Sequence, residues 1–214
     1  MIFDLHVHSR YSRRCGYMQP EEIVKTAIKK GLDGIAVTDH NTIAGGIRAK
    51  AFETRDFRVI VGSEVLTDRG EVIGLFLSEE VAPGNFEDVV AAIRDQGGFV
   101  ILPHPFDRLR STALHPQPAD VGQIDAVEGF NARCIFQADN LTAAEFGREH
   151  NLAVVAGSDA HFPGEIGRAG IRTENDDLEE CIRSRDFQTL GSRSSLLTHC
   201  RSKGLILCRR RNSF

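Results

Sequence analysis

The stretch Ile2-Phe-Asp-Leu-His-Val-His-Ser9 decides how the rest of the chain is read. Apolar and polar residues alternate along it, the pattern of a strand with one face in a core, and residues two apart on a strand share a face. His6 and His8 are therefore expected to project together while Phe3, Leu5 and Val7 pack on the other side. Two imidazoles at a strand end can meet one metal ion, although a His-x-His taken alone is more often structural or merely exposed. Four later apolar runs end in the same way: Ile35-Ala-Val-Thr-Asp-His40, Val59-Ile-Val-Gly-Ser-Glu64, Phe99-Val-Ile-Leu-Pro-His104 and Ala153-Val-Val-Ala-Gly-Ser-Asp159-Ala-His161. Five strand ends that each deliver a ligating side chain describe the mouth of a barrel.

Between these strands the sequence reads as helices. Pro20–Gly31 has Pro in its first turn and Gly at its end, Asn85 caps Phe86–Gln96, and further helices are expected near Ala44–Ala51, Ala138–His150 and Asp176–Ser184. The remaining strands are Gly34–Thr38, Arg58–Val61, Val72–Leu77, Phe99–Leu102, Asp125–Glu128, Val154–Ala156 and Ala169–Thr173. Asp68-Arg-Gly70 predicts a hairpin that would be the one antiparallel interruption. Such alternation argues a parallel α/β architecture, and ligands spread over the whole sequence fit a closed barrel better than an open sheet with one crevice. The long polar loop Phe106–Gly122 is a candidate lid or rim.

With 214 residues, 41% of them hydrophobic, the chain suits one well-buried core, expected over residues 1–191. Its net charge of -4 gives no overall basic bias toward nucleic acid or membranes, so a small anionic substrate must be held locally. The last stretch, 192–214, differs: its charged residues are Arg193, Arg201, Lys203 and Arg209–Arg211, and it is expected to be a disordered basic tail. Five irregularly spaced cysteines suit reduced thiols rather than a disulfide framework. The N-terminus reads as a strand, not a signal or transit peptide, and no apolar run has the length of a membrane span, so a cytoplasmic enzyme without membrane partners is expected.

Asp4-Leu-His6-Val-His8-Ser9, Thr38-Asp39-His40-Asn41, Gly62-Ser-Glu64, His104-Pro105 and Gly157-Ser-Asp159-Ala-His161, in this order and spacing, resemble the PHP (polymerase and histidinol phosphatase) family of metal-dependent phosphoesterases. The resemblance covers Met1 to about Arg185, with roughly Gly164–Gly191 similar to the PHP-associated C-terminal segment of small members. It implies a distorted (β/α)₇ barrel with divalent metals at the C-terminal ends of its strands. On matching positions, His6, His8 and Asp159 would hold a first metal, Glu64 would bridge it to a second bound by His104, and His40 and His161 would serve a third. Members commonly carry an aspartate after the His-x-His for that third metal, whereas this chain reads Tyr11-Ser-Arg-Arg-Cys-Gly16. Two divalent ions are therefore expected, or three if the third site fills.

The residues agree with this chemistry without the family. Mixed imidazole and carboxylate ligands suit manganese, iron or zinc rather than magnesium or calcium. A carboxylate shared by two ions is the arrangement that activates water toward phosphorus and stabilises the departing oxygen. Glu64 is then the central catalytic group, and His161 or His40 would protonate the leaving group if not occupied by metal. Asp39 is expected to orient a ligand imidazole. Asn131, Arg133 and Arg168 resemble substrate-side positions of small PHP members, and a guanidinium can grip phosphate in a bidentate way. Arg13 and Arg14 are further phosphate candidates, followed by Arg108 and Arg110. The predicted reaction is hydrolysis of a small phosphate ester, a phosphomonoester or small nucleotide. A nuclease on short oligonucleotides, a C–N hydrolase of amidohydrolase type and a non-catalytic metal-holding module remain open; no Gly-x-Ser-x-Gly elbow or nucleotide-binding glycine loop is present.

Overall fold

The computed structural model describes residues 1–13, 15–175 and 177–195. Its strands are β1 (Ile2–Val7), β2 (Gly34–His40), β3 (Arg58–Leu66), β4 (Glu71–Leu75), β5 (Phe99–Leu102), β6 (Ala126–Asn131), β7 (Ala153–Gly157), β8 (Ala169–Arg172) and β9 (Gln188–Gly191). The helices are α1 (Pro20–Lys29), α2 (Ala44–Lys50), α3 (Phe86–Arg94), α4 (Gln137–Glu149) and α5 (Leu178–Ser184). Proline opens α1, Asn85 caps α3 by accepting from Asp88 N at 2.9 Å, and Asp177 caps α5 by accepting from Glu180 N at 3.0 Å. Among the described residues no helix is long and apolar enough to cross a membrane.

One mixed sheet runs in the order β7-β6-β5-β4-β3-β2-β1-β8-β9 and curls into a nearly closed barrel. Beyond β7, His8 N donates to Ala160 O at 2.9 Å and Ala160 N to His6 O at 3.3 Å, which brings the last barrel strand back to the first. The hairpin at Asp68–Gly70 turns β3 into β4 as expected, and β4 is antiparallel to both neighbours. It is not the one antiparallel interruption: β8 pairs antiparallel with β1, and β9 with β8. Strand β9 was not legible in the sequence, because Gln188-Thr-Leu-Gly191 is mostly exposed and lacks an apolar face.

Strand starts are packed and strand ends are polar. Phe3, Phe99, Ala126 and Ala153 form one core with Leu178 and Ile182 of α5. Val7 departs from the expected shared face with Phe3 and Leu5: the β1–β2 register shifts between Asp4 and Val7, and Val7 joins Ile23, Val24 and Ala27 of α1 in a separate cluster. Ser192 N and Ser194 N donate to Arg168 O and Ala132 O, each at 2.7 Å. The rest of the expected tail, from residue 196, lies outside the described residues, as do Arg14 and Asp176.

Candidate metal centre

Every barrel strand from β1 to β7 contributes to one cluster at the same end. His6 lies on β1 with His8 just beyond it, His40 closes β2, Glu64 lies near the end of β3, His104 follows β5, Glu128 and Asn131 sit on β6, and Asp159 and His161 follow β7. Because β4 runs antiparallel, its first residue, Glu71, reaches this end too. Strand direction thus puts a carboxylate at the start of β4, where the alternation of the sequence does not mark it.

Glu64 stands at the centre. Its Oε1 is 2.9 Å from His104 Nε2 and 3.7 Å from His6 Nε2, while Oε2 is 3.0 Å from His40 Nδ1 and 3.4 Å from His8 Nε2. Asp159 Oδ1 lies 3.3 Å from His8 Nε2 and 3.8 Å from His6 Nε2. On the other side, Glu71 lies 3.5 Å from His40 Nδ1 and 3.8 Å from His104 Nε2. Four overlapping groups could each surround a cation: His6-His8-Glu64, His6-His104-Asp159, His40-Glu64-Glu71 and His8-His40-His161. Asp159 and His104 both hold positive φ, 54° and 35°, a backbone state that is uncommon outside glycine and tends to persist where the surroundings enforce it.

The hydrogen bonds behind these side chains fix their tautomers. His6 Nδ1 is 3.0 Å from Glu128 Oε1, an acceptor, so that nitrogen carries a proton. Gly157 makes this approach possible, since a Cβ there would stand 2.4 Å from Glu128 Oε1. Ser12 Oγ donates to Asp39 Oδ1 at 2.6 Å and so can only accept from His8 Nδ1 at 3.2 Å. Asp39 thus reaches the His8 imidazole through Ser12. Both Nε2 atoms then turn their lone pairs inward, and they are only 3.0 Å apart. Two lone pairs at that separation repel unless a cation or a proton lies between them. Glu64 Oε2 and Asp159 Oδ1 are also buried without a hydrogen bond of good geometry among the described residues. Inward lone pairs beside orphaned carboxylate oxygens are what a divalent ion requires.

The charges follow the same logic. Burial opposes a charged His6, but the carboxylates of Glu128, Asp159 and Glu64 together outweigh it and hold its pKa well above the usual imidazole value. Burial likewise opposes charge on Glu64, yet His40 and His6 hold it well below the usual carboxylate range. Asp159 is also held low, against burial, by Arg110 and His6. His161 is pushed down by burial and by neighbouring His8 and Arg133.

The expected substrate residues are placed differently from the ligands. Asn131 is fully buried and its amide nitrogen donates to Glu128 Oε2 at 2.8 Å, bracing the carboxylate that orients His6. Arg133 forms a buried pair with Glu165 at 2.8 Å and 3.0 Å, and Glu165 in turn accepts from His161 N. A guanidinium held there supports the His161 turn from behind. Arg13 and Arg168 are exposed. Loop 106–122 is a fixed wall: Arg69 pairs with Asp120 through two bonds, Arg108 with Asp139, and Thr112 Oγ1 donates to Glu71 Oε2 at 2.6 Å. The sequence pointed to neither Glu71 nor Glu128 as part of the site, although a carboxylate inside the apolar run Ala126-Val-Glu128 was a legible signal.

A family model for the PHP domain matches residues 4–184. The chain belongs to the PHP family. A protein of Methanocaldococcus jannaschii described as uncharacterized is 40% identical over 144 residues, 62% of this chain and 82% of that one. Among solved structures, a two-domain protein of Bacteroides vulgatus containing a predicted PHP-like metal-dependent phosphoesterase superposes with a TM-score of 0.74 at 20% identity. The match covers 89% of this PHP chain and 64% of that structure. A lesion-specific endonuclease of Pyrococcus furiosus superposes with a TM-score of 0.61 at 18% identity, over 88% of this chain and 57% of that one. At these identities the structural likeness speaks for the PHP fold.

Proposed function

We propose that residues 1–191 form a metal-dependent phosphoesterase that hydrolyses a small phosphate ester. The observation that carries this reading is the position of Glu64, whose two oxygens face different imidazoles, His104 on one side and His40 and His8 on the other. His6, His8 and Asp159 would hold one divalent ion and share Glu64 with a second, held by His104 and Glu71. The donor set suits manganese, iron or zinc. When bound, such a pair of ions supplies a nucleophile from water near neutral pH and stabilises charge on the departing oxygen.

The chain's own residues then have separable tasks. Glu128, and Asp39 through Ser12, keep protons on the outer nitrogens of His6 and His8, so the inner nitrogens stay available. Donating a proton to the leaving group falls to His40, which is 28% exposed at the mouth, rather than to His161 at 7%. A third ion at His40 and His161 would compete with that task.

Manganese-loaded protein should be tested against phosphomonoesters, nucleoside bisphosphates and short oligonucleotides, with Glu64→Gln as control. Turnover of a phosphoester that falls more than about tenfold in the variant, with an unchanged far-UV spectrum, supports the reading. Cleavage confined to oligonucleotides would move the assignment to a nuclease, the reading that the likeness to a lesion-specific endonuclease keeps in view. A wild-type protein that binds manganese but cleaves no ester would overturn it.

A further inference from the structure

Among the described residues, Arg110 is the arginine that pairs directly with a member of the His/Glu/Asp cluster, Asp159. It lies six residues after His104, in a turn where Asp107 N donates to His104 O at 3.2 Å and Arg110 N to Asp107 O at 3.0 Å, so its backbone is tied to a ligand strand. One amino group of its guanidinium donates to Asp159 Oδ2 at 2.6 Å. That is the oxygen of Asp159 turned away from His6 and His8, so the contact does not occupy the position an ion would take at Oδ1. The ion pair with Asp159 sets the guanidinium beside the cluster, with 22% of the Arg110 side chain exposed.

Among the described residues, the guanidinium's hydrogen bond is the one to Asp159, which leaves most of its donors for another partner. A guanidinium offers five N–H donors in a planar fork. Beyond Asp159, its nearest acidic neighbour is Asp107 Oδ2, 3.6 Å from Nε, too far for a hydrogen bond. The side chain is 22% exposed, whereas Arg133 at 8% is locked on Glu165. A partly exposed fork, anchored at one corner on a metal-ligand carboxylate with its remaining donors at the mouth, is built to receive a planar or tetrahedral oxyanion.

We propose that Arg110 is the positioning residue for the substrate's phosphate, gripping non-bridging oxygens from the side of the mouth opposite the ions while Asp159 holds the guanidinium in place. This rests on the phosphoesterase reading and moves the phosphate contact from Arg133 and Arg168 to the wall loop. No other step is altered: the arginine neither gives nor takes a proton.

The test is binding of inorganic phosphate to manganese-loaded protein by calorimetry, with manganese content measured in parallel, for wild type, Arg110→Gln and Arg110→Lys. Phosphate binding should weaken about tenfold or more in Arg110→Gln at unchanged manganese content, and Arg110→Lys should recover part of it because it restores charge without the fork. For any ester the wild type cleaves, KM should rise more than kcat falls. Phosphate affinity within about twofold of wild type in Arg110→Gln, in an active enzyme, overturns this proposal alone. Loss of manganese together with phosphate also overturns it, since Arg110 would then act only by placing Asp159. A wild-type protein that holds manganese, binds no phosphate and cleaves no ester overturns the phosphoesterase reading along with it.

Discussion

Replacing Glu128 by Gln should weaken manganese binding without adding or removing an atom of bulk. Glu128 is 2% exposed; its Oε1 accepts from His6 Nδ1 at 3.0 Å and its Oε2 from His104 N and Asn131 Nδ2, each at 2.8 Å. Glutamine has one acceptor oxygen and one amino group. If the oxygen serves His104 and Asn131, the amino group faces His6 Nδ1, which must then accept, and the imidazole proton moves to Nε2. That proton occupies the lone pair an ion needs. If the amide flips, His6 keeps its tautomer but two buried donors lose their acceptor. Either way the loss falls on the ligand side, and groups that orient metal ligands are typically worth about 10–100-fold in metal affinity, about 1.4–2.7 kcal/mol. Manganese affinity would be read by competition with a chelating dye, with thermal unfolding of metal-free protein as a control for folding. Affinity within about twofold of wild type in a well-folded variant would refute the tautomer argument.

Arg133→Met should lower stability to urea by about 3–5 kcal/mol, because it leaves the buried Glu165 carboxylate without its partner; an unchanged midpoint with a raised KM would instead return Arg133 to the substrate. The response to pH should reverse with metal. His6 is held above its ordinary value in the metal-free protein, so its contribution to stability is fully present below about pH 6.5 and is lost as pH rises through the raised value. An ion must displace that proton, so manganese affinity should fall by up to about tenfold per pH unit below the raised value, and the rise in Tm caused by manganese should grow with pH. A manganese-induced shift in Tm that is flat from pH 8 to pH 6 would contradict this.

How far the sequence carried the fold depended on which strands were buried on both sides. Phe99–Leu102 is an unbroken apolar run and was legible to the residue. Strands β2, β3 and β6 extend beyond their expected ends because Asp39-His40, Gly62-Ser-Glu64 and Gly129 interrupt the apolar pattern while the backbone pairing continues. The seven expected ligands, His6, His8, His40, Glu64, His104, Asp159 and His161, do converge, since strand ends in a barrel share one rim. Glu71 was hidden by strand direction, which depends on pairing rather than composition. The pairing of Arg133 with Glu165 and of Arg110 with Asp159 was hidden for a similar reason: a guanidinium's partner is decided by tertiary placement, and these carboxylates are distant from them in sequence.

The most direct test of the account is the electron paramagnetic resonance spectrum of the manganese-saturated protein. If Glu64 is shared, two ions should lie roughly 3.5–4 Å apart and be magnetically coupled. Wild type is expected to bind about two manganese ions per chain with a coupled spectrum, and Glu64→Gln to lose that coupling. Two bound ions that show only isolated-ion signals in the wild type, or coupling that survives intact in Glu64→Gln, would contradict the shared-carboxylate centre.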